Sequence, residues 1–439
     1  MQLRHHVRTR LAGRFHAIKT VEDAPAAQRD PEVVQTVARM LLELERDGMD
    51  AVRRYGEELD HFTGDLAVDA SVLRTSGDRL TPELRAAIEL GSERTRAFAR
   101  EHRAHMQDFE VELVPGLVTG VRYVPVDSVG AYLPAGRFPL TASAFMTLGV
   151  ATEAGVSRRI ACTPPQPSGA ANDAVLYAAH VSGVDRVWMI GGVQALAAMA
   201  FGLLDEPPVD ILVGAGNAYV AEAKRALFGK VAIDLPAGPS EVAVLADDSA
   251  DPEWVAADLL GQAEHGVNSP AVLVTTSEAL GSAVLAAIER QLATLETAAI
   301  AGPAWRDHGS ILVADDMATA IEIMDDLAPE HLEVMTVDDE AVHQALTCYG
   351  SIFLGRWSTV AYSDKGMAGT NHVLPTAGGA RHTAGMSVAR YLKALTYQRI
   401  LRETTPELAN AVATISESEG MAAHRATATL RLDAFAGSE

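Results

Sequence analysis

The sequence predicts an α/β protein with two parallel-sheet domains, a helical N-terminal preface and a helical C-terminal tail. Three observations carry this. At 439 residues the chain exceeds one ordinary hydrophobic core. Two successive runs of short β-rich segments alternate with helical stretches, as βαβ units do. The stretches before and after those runs keep helical spacing.

In order, residues 1–21 read as an arm packed on a neighbour. From about Pro31 to His105 the pattern is helical, with Val33, Val37, Met40, Leu41 and Leu44 at helical spacing. Phe109 to Val126 reads as extended chain, turning at Pro115-Gly116. The first strand run comprises Val129–Leu133, Arg158–Cys162, Arg186–Ile190, Asp210–Val213 and Val231–Leu235. The second comprises Glu241–Leu245, Ala271–Thr275, Ser310–Ala314, Leu332–Thr336 and Ser351–Leu354. From Gly385 onward the pattern reads as helical. The expected division is an arm (1–21), a discontinuous first α/β domain (22–128 and 241–384), an inserted second α/β domain (129–240) and a tail (385–439).

A net charge of −22 argues against nucleic acid or an anionic membrane as the main partner. Only Cys162 and Cys348 are present, so there is neither a disulfide framework nor a thiolate zinc cluster. Any metal must use imidazole, carboxylate or amide ligands. No segment has a secretory pattern or the length to span a bilayer, and a cytoplasmic enzyme is expected.

The stretch Gly261-Gln262-Ala263-Glu264-His265-Gly266 closes a helix beginning at Asp251-Pro252-Glu253, with an acidic cap and proline in the first turn. Val255, Leu259 and Gln262 share one stripe, so Gln262 points inward and His265, three residues on, projects from the same side. Two satisfied polar residues at a helix end would explain an isolated Q-x-x-H equally well. Ala328-Pro329-Glu330-His331 puts a carboxylate beside an imidazole at a strand start, groups that activate water and move protons, though surface Glu-His pairs are commoner. If the strand is regular, neighbouring side chains diverge, so both reach one site only where the pleat breaks. Gly191-Gly192-Val193-Gln194 and Gly214-Ala215-Gly216-Asn217 each follow a strand and open a helix, suiting a phosphate or ribose. Tyr219 stands where a third glycine belongs, so the regular dinucleotide fingerprint is absent. Ser240, before a strand, meets a substrate hydroxyl or merely caps a turn. Asp364 and Thr370-Asn371-His372 lie in a polar loop. Glu419 and His424 lie in the tail, where a lone histidine is ordinarily solvent-facing.

Together the stretches VGAYLPAGR, GGVQALAAMAFG, GAGNAYVAEAKR, GPSEV, DLLGQAEHG, APEHLEV, GTNHVLPT and EGMAAH closely resemble the histidinol dehydrogenase family, from about Val129 to Leu432. The resemblance implies two Rossmann-like domains, the inserted one binding NAD. It implies a zinc site from Gln262, His265, Asp364 and His424, an oxygen and nitrogen set that also suits manganese. It implies Glu330 and His331 as the catalytic pair, Tyr132, Gln194 and Asn217 as NAD contacts, and Ser240, His372 and Glu419 as substrate contacts. It further implies a homodimer whose tail crosses to the neighbour. Arg137 stands where biosynthetic members carry a small residue, and it is a candidate substrate contact. Asp364 lies one residue farther from Thr370-Asn371-His372 than the family spacing. SDKGMAGTNH and HTAGMSVARYLKALTYQRI are more similar to a sister group, the sulfopropanediol 3-dehydrogenases. The expected activity is four-electron oxidation of a small polar primary alcohol, histidinol or a sulfonated diol, to the carboxylate with two NAD. A catalytically silent small-molecule binding protein is the reading from another class.

Overall fold

A computed structural model describes residues 1, 3–21, 30–136, 138–236 and 238–436. It forms two compact units, Met1–Glu101 with Val126–Tyr391, and His102–Pro125 with Leu392–Glu439.

The strands are β1 (Phe15–Lys19), β2 (Phe109–Val114), β3 (Leu117–Pro125), β4 (Ser128–Tyr132), β5 (Arg158–Thr163), β6 (Arg186–Met189), β7 (Ile211–Val213), β8 (Ala232–Ile233), β9 (Val242–Ala246), β10 (Ala271–Thr275), β11 (Gly309–Ala314), β12 (His331–Met335), β13 (Ser351–Leu354) and β14 (Leu392–Ile400). The first unit holds a five-stranded sheet ordered β6-β5-β4-β7-β8 and a six-stranded sheet ordered β1-β11-β10-β9-β12-β13. All pairings are parallel except β1 with β11. Both sheets therefore repeat one topology, in which three strands run outward and the fourth returns beside the first. The strands β9 (VAVLA), β10 (AVLVT) and β12 (HLEVM) are buried at every position, as sheets covered on both faces require.

One face of the six-stranded sheet is covered by helices Pro252–Ala263, Glu278–Leu292 and Ala298–His308. The other packs on helix Met317–Leu327 and on Val7 and Leu11. Residues 3–21, expected as an arm packed on a neighbour, pack on their own chain: a short helix, His5–Arg10, lies against this sheet and β1 adds to its edge. The physical reason is the apolar pair Val7 and Leu11, which the core takes up almost entirely. Helices Pro31–Asp47 and Met49–Asp60 pack on the five-stranded sheet through Val37, Met40, Leu44 and Val52, not on the six-stranded sheet with which residues 22–128 were grouped.

In the second unit β14, β3 and β2 form an antiparallel sheet, and helices Thr405–Ser418 and Ala422–Ala436 pack on each other. The tail thus opens with a strand where helix was expected. Leu392–Ile400 pairs along its whole length with β3, a partner some 270 residues earlier, and no local spacing reports such a partner. Among the described residues no helix is long and apolar enough to cross a membrane.

Candidate functional site

Helix Pro252–Ala263 starts where the Asp251 side chain accepts the Glu253 N–H at 2.9 Å, with proline in the first turn. It runs back along β9, so its C-terminal end arrives at the amino ends of β9 and β12. Gln262 is buried there, and His265 follows one residue beyond the C-cap. Ser240 and Glu241 lead into β9, and His331 is the first residue of β12, in register with Val242.

The break in the pleat that Glu330 and His331 require is present. Ala328 has φ of +46°, Glu330 lies in a bend, and regular strand begins only at His331. Glu330 Oε2 accepts from the Ser240 hydroxyl (2.7 Å) and the Glu241 N–H (2.8 Å), and lies 3.3 Å from His331 Nδ1. The Gln262 amide donates to Ser240. His331 Nδ1 meets the Glu241 carbonyl oxygen at 3.0 Å, which turns Nε2 toward Asp364 Oδ1, 3.7 Å away. Burial alone would lower the imidazole, but Glu330, by charge and hydrogen bond, and then Asp364 outweigh it and push His331 up to about 9. Glu241, buried and facing Glu330, is pushed up to about 7, first by burial and then by the Glu330 charge.

His265 Nε2 stands 3.6 Å from Asp364 Oδ2. That is too long for a hydrogen bond and close to the roughly 3.4 Å between two ligands of one tetrahedral ion at about 2.1 Å. Asp364 Oδ1 and His331 Nε2 are buried without a hydrogen-bond partner. A bare carboxylate oxygen of this kind is what a site shaped for an added cation leaves behind. Among the described residues no three His, Cys, Asp or Glu side chains converge as a complete ligand set. His265 and Asp364 are placed so that they could supply two ligands, and the Gln262 amide oxygen could supply a third. His372 is partly buried: its Nε2 meets the Ser143 hydroxyl at 3.0 Å and its Nδ1 the Asp364 carbonyl oxygen at 3.3 Å, with burial lowering its pKa.

The nucleotide candidates lie at the other kind of end, beyond the carboxyl ends of β4, β6 and β7. Tyr132 closes β4, and its hydroxyl accepts the Gly192 N–H at 3.3 Å. Burial pushes that phenol up to about 12. Gln194 is buried, donates to Asp60 Oδ2 at 3.0 Å and leaves Oε1 without a partner. Asn217 caps helix Ala218–Leu227, accepting from Tyr219 N (3.0 Å) and Val220 N (3.1 Å). At Gly214 φ is +117°, and a side chain would run into the Tyr132 carbonyl, so the loop hugs β4.

Sequence reasoning missed Glu241, which holds the Glu330 N–H (3.3 Å) and the Ala377 N–H (3.1 Å), Asp60, which holds the Gly191 N–H (3.0 Å), and Ser143. The Glu of GPSEV was the one visible signal. Glu419 caps the end of helix Thr405–Ser418 and His424 lies in the first turn of the next helix. Both are exposed, and both belong to the second unit. Arg137 lies outside the described residues.

Fold and site together describe an α/β protein with two Rossmann-like sheets and a buried cluster of carboxylates and imidazole. Comparison with known proteins narrows the class. The model of the histidinol dehydrogenase family matches residues 24–432. A histidinol dehydrogenase homolog of Shouchella clausii is 45% identical over 405 residues, covering 92% of this chain and 95% of that protein. The sulfopropanediol 3-dehydrogenase of Ruegeria pomeroyi is 43% identical over 403 residues, covering 91% and 92%. The crystal structure of histidinol dehydrogenase from Elizabethkingia anophelis superimposes with a TM-score of 0.88 at 33% identity, over 93% of this chain and 94% of that one. The chain belongs to the histidinol dehydrogenase family. It is a dehydrogenase, an NAD-dependent oxidoreductase acting on an alcohol.

Proposed function

We propose that the chain oxidises a small polar primary alcohol through the aldehyde to the carboxylate, with zinc held by Gln262, His265, Asp364 and His424 and with NAD held at Tyr132, Gln194 and Asn217. The observation that carries this is the convergence of Ser240, Glu330 and His331 with Gln262, His265 and the unpartnered Asp364 oxygen at the amino ends of β9 and β12. A divalent ion there would anchor the alcohol and offset the Asp364 charge that helps to hold the His331 proton.

His331 takes the hydroxyl proton at Nε2, the nitrogen that faces Asp364, while its Nδ1–H stays on the Glu241 carbonyl. Glu330, oriented by Ser240 and the Glu241 N–H, takes a proton from the water that attacks the aldehyde. His372 and Ser240 border the substrate position. Hydride leaves twice, each time to an NAD held by the five-stranded sheet.

His424 and Glu419 serve the site of a second copy in a tail-exchanged homodimer. Support comes from apolar side chains of the second unit that lie open: Phe109, Val111 and Leu113 on β2, and Val412, Ile415 and Leu430 on its helices. Both cysteines are free, in keeping with a cytoplasmic setting.

Two substrate readings stand on the two kinds of relative, histidinol and a sulfonated diol, and Arg137 suits an anionic group through its planar fork. The test is NADH formation by the zinc-loaded protein with histidinol, 2,3-dihydroxypropane-1-sulfonate and uncharged diols. Turnover of one of them supports the reading. Absence of alcohol-dependent NADH would favour a silent binding protein.

A further inference from the structure

Strand β12 is buried at all five positions, yet it carries Glu333 at its centre, with no exposure to solvent. A buried carboxyl costs stability unless it is paired or protonated. Glu333 Oε1 accepts the Val360 N–H at 2.9 Å, while Oε2 finds no donor on the protein. The group facing it is another carboxyl, Asp258, which accepts the Thr359 hydroxyl at 2.9 Å. Glu333 is fully buried and Asp258 partly so, and the two hold consecutive residues, Val360 and Thr359, which brings the carboxyls side by side; a proton held between them relieves the repulsion of two like charges. Burial and then Asp258 raise Glu333 well above the ordinary carboxyl range, and burial raises Asp258, so the proton belongs on Glu333 and is donated to Asp258.

Each partner of this pair belongs to an element that carries a site residue. Asp258 sits one turn before Gln262 on helix Pro252–Ala263, on the same face. Glu333 lies two residues after His331 on β12, pointing to the same side of the sheet. Thr359 and Val360 begin the short helix Val360–Asp364, which ends in Asp364, and Thr359 is its N-cap. The carboxyl pair and its two bonds to Thr359 and Val360 thus tie together the helix of Gln262, the strand of His331 and the turn of Asp364.

We propose that Asp258 and Glu333 are positioning residues, a proton-sharing carboxyl pair that fixes these three elements so that Gln262, His265, His331 and Asp364 face one point. Neither touches substrate. The proposal rests on the metal reading of the site only for its affinity readout.

The test uses the full chain and four variants. Glu333→Gln puts a permanent N–H where the shared proton is and keeps an oxygen for Val360. A parent-minus-Glu333→Gln infrared difference spectrum at neutral pH, in which the Glu241 acid cancels, should show the carbonyl stretch of a protonated acid. Hydrogen exchange at Val360 should stay slow in both. Zinc titrated into chelator-stripped protein should bind Glu333→Gln and Asp258→Asn as it binds the parent. Asp258→Ala should bind it about 10–100-fold more weakly, the usual loss when a supporting group is removed, with faster exchange at Val360. Should Asp258→Ala fail to fold, Thr359→Val removes the bond to Asp258 together with the weak 3.4 Å cap bond from the Ala361 N–H, and should weaken zinc by a smaller factor. A missing acid band, or parental zinc affinity and Val360 exchange in both Asp258→Ala and Thr359→Val, overturns the proposal. If the parent itself binds no zinc, the metal reading fails, and the acid band and Val360 exchange still decide for or against the pair.

Discussion

Changing Glu330 to Gln separates the two half-reactions. The structure says what the substitution keeps: a Gln carbonyl oxygen can accept from the Ser240 hydroxyl and the Glu241 N–H as Oε2 does at 2.7 and 2.8 Å, so the bend and the fold persist. What is lost is a charge and a proton acceptor. Aldehyde oxidation, which needs water made nucleophilic, should slow by about 10²–10⁴-fold, or about 3–5 kcal/mol in barrier. Reduction of the same aldehyde by NADH needs no water and should proceed at near-parental rate. A second effect has a definite sign. Burial lowers the His331 imidazole, and Glu330 is the strongest of the groups raising it to about 9. With Gln at 330 the imidazole releases its proton at lower pH, so the limb along which alcohol oxidation rises with pH should move to lower pH. The assay is stopped-flow NADH absorbance with aldehyde supplied in both directions across a pH series. Equal slowing of both directions would refute water activation by Glu330 and leave it a positioning residue; an unmoved limb would refute its hold on the His331 proton.

Replacing His265 by Ala removes one of the two facing groups 3.6 Å apart and should abolish stoichiometric zinc, read by atomic absorption, with the thermal transition of the metal-free protein unchanged. Glu241→Gln addresses stability. A folded-state pKa of about 7 against an ordinary 4.5 means that the folded chain holds this proton more tightly, so the parent loses stability as pH rises from 4.5 to 7. The variant should match the parent near pH 4 and exceed it at pH 8 by on the order of 3 kcal/mol in urea unfolding. Mixing unfolded Glu330→Gln and His424→Ala chains and refolding them together should restore roughly a quarter of parental activity, because half of the dimers are mixed and each has one intact site. No recovery beyond the two variants alone would mean that His424 serves its own chain.

The sheet strands were legible because burial on both faces writes each as an uninterrupted apolar run, with ends close to those observed at β10 and β13. Helix Pro252–Ala263 was legible from its cap and its stripe. Three features were hidden because their causes are nonlocal. Strand β14 depends on β3, and its Leu, Lys, Ala and Arg content suits a helix equally well. The N-terminal strand depends on an open edge at β11. Asp60, in a helix of the preface, gains its role only by meeting Gly191 and Gln194 across the fold. The site shows the same division. Gln262 and His265 could be paired from helix geometry, and Glu330 with His331 from adjacency. That Ser240 bridges Gln262 to Glu330 follows only from the register of β9 with β12.

The repeated topology raises a question that the glycine pattern alone does not answer: which crevice suits a dinucleotide. In open parallel sheets the ligand crevice opens beyond the carboxyl ends of the two central strands where the order reverses. This chain has two such places, β4 with β7 and β9 with β12. Beyond β9 and β12 stand Asp247, Asp248, Asp251, Asp338, Asp339 and Glu340, and several already occupy the N–H groups that a phosphate would need. Asp247 holds Val337 N at 2.8 Å and Ser249 N at 3.0 Å, Asp339 holds Thr336 N at 2.7 Å, and Asp251 and Asp338 cap the two helices. A pyrophosphate would meet filled donors and a ring of like charge. Beyond β4 and β7 the stretches Leu133–Gly136 and Gly214–Asn217 carry no carboxylate of their own, and Gly214 brings the backbone close. Two carboxylates do reach this end, Asp60 on the Gly191 N–H (3.0 Å) and Asp234 on the Gly214 N–H (2.7 Å), but Lys224 Nζ offsets the second at 2.6 Å, so the charge here is far smaller than the ring beyond β9 and β12. Charge, rather than topology, therefore favours the five-stranded sheet for the cofactor and leaves the six-stranded sheet to work from its amino ends, where Glu330, His331 and Gln262 meet.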